Sequence, residues 1–280
     1  MSKSQIRTID YKDIKSPDIF VESLRNSGFA VIYNHDIDME LINTVYKEWK
    51  DFFYSKEKYD YLFDLEKQDG YFPMKSENAK DSSLKDIKEF YHIYLPWGRI
   101  PDSLKDNTLK VRSELKKIGL VLLKWIDDLT PPEIKKNFSM PLYDMIEGSQ
   151  TNLLRIIHYP PLREEDDENA IRAGAHEDIN LITVLLAGSQ PGLQVIDNNN
   201  KWVNVESDPG WIVVNIGDML QECSRGYYPS TTHQVVNPTG DNVSRLSMPF
   251  FIHPRDEVKL SDRYTAKSYL EERLKQLGLK

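Results

Sequence analysis

One cysteine, Cys223, in 280 residues excludes an intramolecular disulfide, and with it any metal shell built on several thiolates. Long apolar runs are missing too: nothing approaches the roughly 18 consecutive apolar residues of a membrane-spanning helix. The opening stretch MSKSQIRTIDYKD holds no apolar segment of the kind a secretory leader carries. Positive charge is in short supply, with 36 Lys and Arg against 44 Asp and Glu, a formal net charge of −8. A nucleic-acid surface needs a basic stripe, which that balance argues against. Repeats and low-complexity segments are absent, and the acidic run 163–169 (REEDDEN) reads as a solvated loop. The expectation is a cytoplasmic protein whose partner is a small molecule, with no nucleic acid and no membrane. Oligomeric state leaves no mark in the sequence.

What is present is ordinary for a folded protein: 40% hydrophobic and 29% charged residues. A chain of this length buries a substantial core, as one large β-rich domain or two small ones. In the first half, residues 17–26 read as a helix and 29–34 (FAVIYN) as a short strand. Met39, Ile42, Val45, Trp49, Phe52 and Phe53 recur at three- and four-residue spacing, the mark of an amphipathic helix. A second helix aligns Val111, Leu115, Ile118, Leu122, Trp125, Ile126 and Leu129. It stops before Pro131-Pro132, where a missing N–H and a ring clash oppose continuation.

After residue 150 the pattern changes. Short β-prone runs follow one another at 153–159, 181–186, 192–196, 211–216, 233–236 and 245–252. Turn signals part them, among them Gln190-Pro191-Gly192, Asp197-Asn198-Asn199-Asn200 and Pro238-Thr239-Gly240. Many short strands parted by turns predict a sandwich or barrel, and a helix over 264–276 closes the chain. Helices can buttress a single β-core. The expectation is therefore one domain over 1–280: a helix-rich part in 1–150, the β-core in 151–254 and a C-terminal helix in 255–280.

Gly174-Ala175-His176-Glu177-Asp178 precedes one of the apolar runs. In an extended strand side chains alternate faces, so His176 and Asp178 would share one. His233 opens the run HQVV and can supply a third ligand from a non-adjacent strand. Two imidazoles and one carboxylate on one face leave coordination positions open, as in non-heme Fe(II) oxygenases. Zinc uses the same residue types. The other histidines, His35, His92, His158 and His253, have no carboxylate two residues on and read as structural or surface groups.

Arg245 and Ser247 share a face of their run by the period of two, while Leu246, Met248, Phe250 and Ile252 take the other as core. An arginine directed among apolar strands is costly unless it meets an anion, and a guanidinium with a hydroxyl suits a carboxylate. That carboxylate can be a ligand's or one of the chain's own Asp or Glu residues; the pattern alone leaves both open.

Together these stretches resemble the isopenicillin N synthase-like branch of the 2-oxoglutarate/Fe(II)-dependent dioxygenases. HEDINLITVLLAGSQPGLQV (176–195), KWVNV (201–205), WIVVNIGDMLQECSRGYYPSTTHQVVNP (211–238) and RLSMPFFIHP (245–254) keep that family's order and approximate spacing. IRTIDYKDI, SLRNSGFAVIYNHDID and KEFYHIY (88–94) fit its helical lead-in. The resemblance implies a mainly β fold with flanking helices, its core a distorted double-stranded β-helix, or jelly roll. It implies iron on His176, Asp178 and His233, and the distal carboxylate of 2-oxoglutarate on Arg245 and Ser247. Tyr159, in HYPP, matches a family tyrosine that supports the same carboxylate, although Ile157 stands where many members carry Asn. No catalytic side chain beyond the metal ligands is implied.

The activity implied is that of an oxidoreductase using Fe(II), 2-oxoglutarate and O2, for which a reducing cytosol suits the ferrous ion. It would oxidise a small organic molecule, by default through hydroxylation, and release succinate and CO2. Two alternatives stay open: an Fe(II) oxidase of the same fold that does without 2-oxoglutarate, and a non-catalytic jelly-roll binding protein. Tyr71, Tyr91, Arg155, Met219 and Phe251 are candidate substrate contacts.

Overall fold

The structure, a computed structural model, describes residues 6–77, 85–164, 166, 171–188, 190–238 and 241–276. Most of the acidic run 163–169 and the Thr239-Gly240 part of one expected turn lie outside them. The strands are β1 (Arg7–Asp10), β2 (Phe29–Tyr33), β3 (Gly70–Phe72), β4 (Glu89–Ile93), β5 (Leu153–Tyr159), β6 (Ala173–His176), β7 (Ile182–Leu186), β8 (Leu193–Ile196), β9 (Trp202–Asn204), β10 (Ile212–Ile216), β11 (His233–Val235) and β12 (Arg245–Ile252). The helices are α1 (Ser16–Ser27), α2 (Met39–Tyr54), α3 (Lys105–Leu129), α4 (Pro132–Lys135), α5 (Leu142–Met145), α6 (Asp218–Cys223) and α7 (Ala266–Gln276).

Eight strands form one sheet in the order β1-β2-β10-β7-β12-β5-β4-β3, and four form a second, β6-β11-β8-β9. Period-two alternation divides the large sheet into two faces. Ile182, Val184 and Leu186 of β7, Ile212, Val214 and Ile216 of β10, and Leu246, Met248, Phe250 and Ile252 of β12 join a core beneath the helices. Leu185, Val213, Ile157 and Tyr159 point the other way and meet Leu193, Val195 and Val235 of the small sheet. Two sheets enclosing the second core, with helices outside, make the jelly roll.

The helices form where the sequence patterns them. Asp38 caps α2 by accepting from Glu40 N at 2.9 Å, and Ile42, Val45, Trp49, Phe52 and Phe53 are all buried. Each such side chain contributes roughly 1.5–3 kcal/mol through burial. In α3 the stripe thins toward its end: Val111, Leu115, Ile118, Leu122 and Ile126 are buried, whereas Trp125 is half-buried and Leu129 exposed. A Cβ at Gly119 would stand 2.1 Å from Ile252 Cδ1, so the glycine is what lets α3 lie directly on β12.

The expected strands of the second half stand within a residue or so of their predicted ends. The lead-in is less helical than expected. Residues of IRTID and KEFYHIY form β1 and β4, and with β3 they complete the two edges of the large sheet. In β4, Phe90 joins the core between the sheets while Tyr91 and Ile93 join the core under the helices, an alternation that marks a strand. No helix among the described residues is long and apolar enough to cross a membrane.

Candidate metal centre and co-substrate pocket

β6 ends at His176, which stands opposite His233 in the antiparallel register with β11, and the two rings are 4.3 Å apart between centroids. Each ring bonds through Nδ1 to a backbone carbonyl two residues before it: His176 to Gly174 O at 2.7 Å, His233 to Thr231 O at 3.1 Å. A carbonyl only accepts, so the proton sits on Nδ1 and Nε2 is the free donor atom of both rings.

Asp178 is not on the strand. It lies in the loop after β6, so strand alternation is not what brings it to His176. The loop is held instead at the junction of β10 and α6, where Asp218 N donates to Asp178 O at 2.7 Å. A Cβ at Gly217 would meet Asn180 O at 2.2 Å, so only glycine permits that approach. The carboxylate is divided between two tasks. Oδ2 accepts from Thr183 Oγ1 at 2.5 Å and from Asn215 Nδ2 at 2.8 Å. Oδ1 stands 3.9 Å from His176 Nε2 and 3.8 Å from His233 Nε2. Among the described residues this is the group of donors that could hold a metal, its three ligand atoms all within 4.8 Å of one another.

The donor set fits a ferrous ion: two imidazole nitrogens and one carboxylate oxygen, with no thiolate. Cys223 is buried in the core under the helices. Burial, with the His233 ring beside it, pushes His176 down to about 4, so the ring is unprotonated and ready to ligate at neutral pH. Burial alone would raise Asp178, but the His233 and His176 rings and the bonds from Asn215 and Thr183 outweigh it and hold the carboxyl below its ordinary value. The His176 side chain stays 39% exposed against 6% for Asp178 and 9% for His233, so the centre is open on the His176 side. Sequence reasoning missed Thr183 and Asn215, which stood inside runs taken only as apolar strands. The available signal was a single polar residue at an inward position of each.

Arg245 and Ser247 lie inward on β12, opposite Tyr159 and Ile157 of β5. Arg245 is 4% exposed. Its Nε donates to Gln190 O at 2.9 Å and its guanidinium carbon is 5.2 Å from the centre of the Tyr159 ring. Nη1 is buried with no partner, and among the described residues no Asp or Glu forms an ion pair with this arginine. A buried cation lacking its own counter-ion fits a pocket for an external carboxylate.

Of the candidate substrate contacts, Arg155 and Phe251 lie on the inward face. Phe251 pairs with Thr183, the residue that holds Asp178. The Arg155 guanidinium rests 4.5 Å from the Phe90 ring and 5.6 Å from that of Phe251. Its Nε donates to His92 Nε2 at 2.7 Å, and Nη1 pairs with Glu77 at 3.2 Å. Glu77 also meets the buried Lys88 at 2.7 Å, and Lys88 meets Asp86 at 2.8 Å. Asp86 in turn accepts from Gly174 N at 3.0 Å, joining this cluster to β6. Tyr71, Tyr91 and Met219 are instead packed in the core under the helices. Strand register decides this: Tyr71 faces Tyr91 across β3 and β4, both on the outer side. The Tyr71 hydroxyl donates to Glu89 and that of Tyr91 to Arg99 O.

Residues 150–254 match the 2OG-Fe(II) oxygenase superfamily, and residues 18–113 match the N-terminal region described for a non-haem dioxygenase in morphine synthesis. A Shewanella oneidensis protein assigned as an oxygenase is 51% identical, over 99% of this chain and 100% of that one, with a TM-score of 0.89. The chain belongs to the 2OG-Fe(II) oxygenase superfamily. A superfamily protein from Caulobacter crescentus is 28% identical, over 99% of this chain and 100% of its own, with a TM-score of 0.80. An Aspergillus fumigatus 2-oxoglutarate-Fe(II) type oxidoreductase is 29% identical over 82% of this chain and 74% of its own length. This chain is accordingly a 2-oxoglutarate/Fe(II)-dependent dioxygenase, an oxidoreductase that uses Fe(II), 2-oxoglutarate and O2.

Proposed function

We propose that this dioxygenase hydroxylates a small polar molecule. Iron is held by His176, Asp178 and His233, and the distal carboxylate of 2-oxoglutarate by Arg245 with Ser247 and Tyr159. The reading rests chiefly on Arg245: a buried guanidinium with an unpartnered Nη1, on the inward sheet face that also carries the holders of Asp178. Bound iron, with 2-oxoglutarate and O2, supplies the power to oxidise an unactivated C–H bond, with succinate and CO2 as co-products.

The chain's own residues bind, orient and exclude water. Thr183 and Asn215 fix Asp178 so that Oδ1, not Oδ2, is presented. Arg245, Ser247 and Tyr159 set the far end of the co-substrate. Leu185, Val213 and Ile157 keep the space between the sheets apolar, which strengthens the hold of the arginine on an anion. Phe251 stands opposite Thr183, which holds Asp178, and Arg155 packs against it, so the adjoining wall is charged as well as aromatic. That wall supports a polar substrate. Strands from both halves of the chain build the sheet that carries Arg245, which supports reading 1–280 as one oxygenase domain.

An aerobic screen of small polar compounds with Fe(II) and 2-oxoglutarate, reading succinate release, tests this. Product formed in step with succinate, and weakened by Arg155→Gln, is the expected result. Product formed equally fast without 2-oxoglutarate would overturn it.

A further inference from the structure

We propose that Arg172 is a second cation of the co-substrate pocket, positioning Tyr159 and tightening the hold on the distal carboxylate of 2-oxoglutarate without touching it; this rests on the reading of Arg245 just given. Arg172 is 1% exposed. Its guanidinium carbon lies 5.9 Å from the centre of the Tyr159 ring, and that of Arg245 lies 5.2 Å from the same ring. Its Nη2 donates to Val243 O at 2.6 Å, while Nε is buried and has no partner. Like Arg245, it forms no ion pair with an Asp or Glu among the described residues.

Two buried guanidinium groups therefore share one phenol ring, with no described carboxylate paired to either. Like charges kept together out of water are unfavourable unless an anion offsets them. Arg245, with its free Nη1, is the group that meets the anion. Arg172 is fastened by Val243, two residues ahead of Arg245, and immediately precedes the strand that ends in His176. It thereby ties the metal strand to the start of β12. Ile157, two residues before Tyr159 and on the same face of β5, brings no polar group to the tyrosine, so its cationic neighbours are what fix its environment. With an effective dielectric constant of about 20, a positive charge roughly 10 Å from a carboxylate changes its affinity by roughly an order of magnitude.

The test uses iron-loaded, oxygen-free protein and two probes, 2-oxoglutarate and 2-oxobutyrate, the second lacking the distal carboxylate. Dissociation constants are read from the visible band on binding. Arg172→Gln is expected to weaken 2-oxoglutarate about tenfold and leave 2-oxobutyrate within about twofold, with Arg172→Lys restoring most of the loss. An unchanged 2-oxoglutarate constant, or equal weakening of both probes, overturns the proposal; the latter is what a merely structural arginine would give. Circular dichroism checks folding. If the Gln variant does not fold, the Lys variant carries the test: preference for 2-oxoglutarate retained supports the charge role, and joint weakening of both probes overturns it. Arg245→Met is run alongside. Wild-type 2-oxoglutarate binding in that variant would remove the co-substrate assignment itself, whatever Arg172 does.

Discussion

Replacing Arg245 by Met removes the charge proposed to meet the distal carboxylate while keeping most of the side-chain volume. Nε is already used on Gln190 O, so the atoms free for an anion are on the outer edge of the guanidinium, where Nη1 has no partner. Loss of one side of a buried charge-assisted pair costs about 2–5 kcal/mol. That corresponds to a factor of roughly 30 to 5,000 in the dissociation constant of 2-oxoglutarate. Iron affinity should persist, because the contacts of Arg245 are with Gln190 O and the Tyr159 ring and not with the proposed ligands His176, Asp178 and His233. The assay is anaerobic titration of the Fe(II) protein, paired with thermal unfolding at fixed co-substrate. At about 100 times its dissociation constant, a ligand stabilises the folded chain by about 2.7 kcal/mol. Wild type should show that gain at a concentration where Arg245→Met shows almost none. Binding within threefold of wild type would refute the assignment. If Arg245→Met instead raises only the substrate requirement, and turnover continues without 2-oxoglutarate, the arginine holds a substrate carboxylate. Ser247→Ala deletes a neutral donor and should weaken 2-oxoglutarate by roughly 2- to 10-fold.

His176→Ala, Asp178→Ala and His233→Ala should each abolish turnover and most iron binding in a folded protein; wild-type Fe(II) affinity in any two would refute the triad. Thr183→Val and Asn215→Ala leave the ligands intact but free Asp178 Oδ2, and should lower iron affinity by about 10- to 100-fold, measured by the same titration. Zinc-loaded, iron-free protein should be inactive, since zinc has no redox chemistry; full activity would refute a redox metal. Burial holds His253 down to about 4 and His92 well below its ordinary value, so both are neutral when folded and protonate near pH 6.5 when unfolded. Stability of the metal-free protein is then full above about pH 6.5 and declines toward pH 4, by up to about 3 kcal/mol from His253. Asp178 and Glu89, held below their ordinary values, lose their contribution only below about pH 4–4.5. Denaturant melts at pH 7.5 and 5.0 therefore report the histidines, and equal stability at both would refute this.

Strand periodicity is local, and so was everything that depended on it. It set Arg245 and Ser247 on one face of β12 and Leu246, Met248, Phe250 and Ile252 on the other, as their burial against the helices bears out. The three- and four-residue spacing of Ile42, Val45, Trp49, Phe52 and Phe53 determined α2 in the same way. His176, Asp178 and His233 stood out by residue type and by resemblance. Their meeting was a tertiary matter: His233 reaches His176 through the register of β11 with β6, and Asp178 arrives through a loop pinned at Gly217 and Asp218. Thr183 and Asn215 acquire a role only because β7 and β10 turn those positions toward Asp178. Tyr71 and Tyr91 were credible pocket residues until strand register turned them outward. Arg172 had no signal at all, since its significance lies in sharing the Tyr159 ring with a residue of β12. A sequence states which face a residue takes relative to its immediate neighbours. Which faces then meet is decided by pairing among strands far apart in the chain, where a shift of one residue would turn every side chain to the other side.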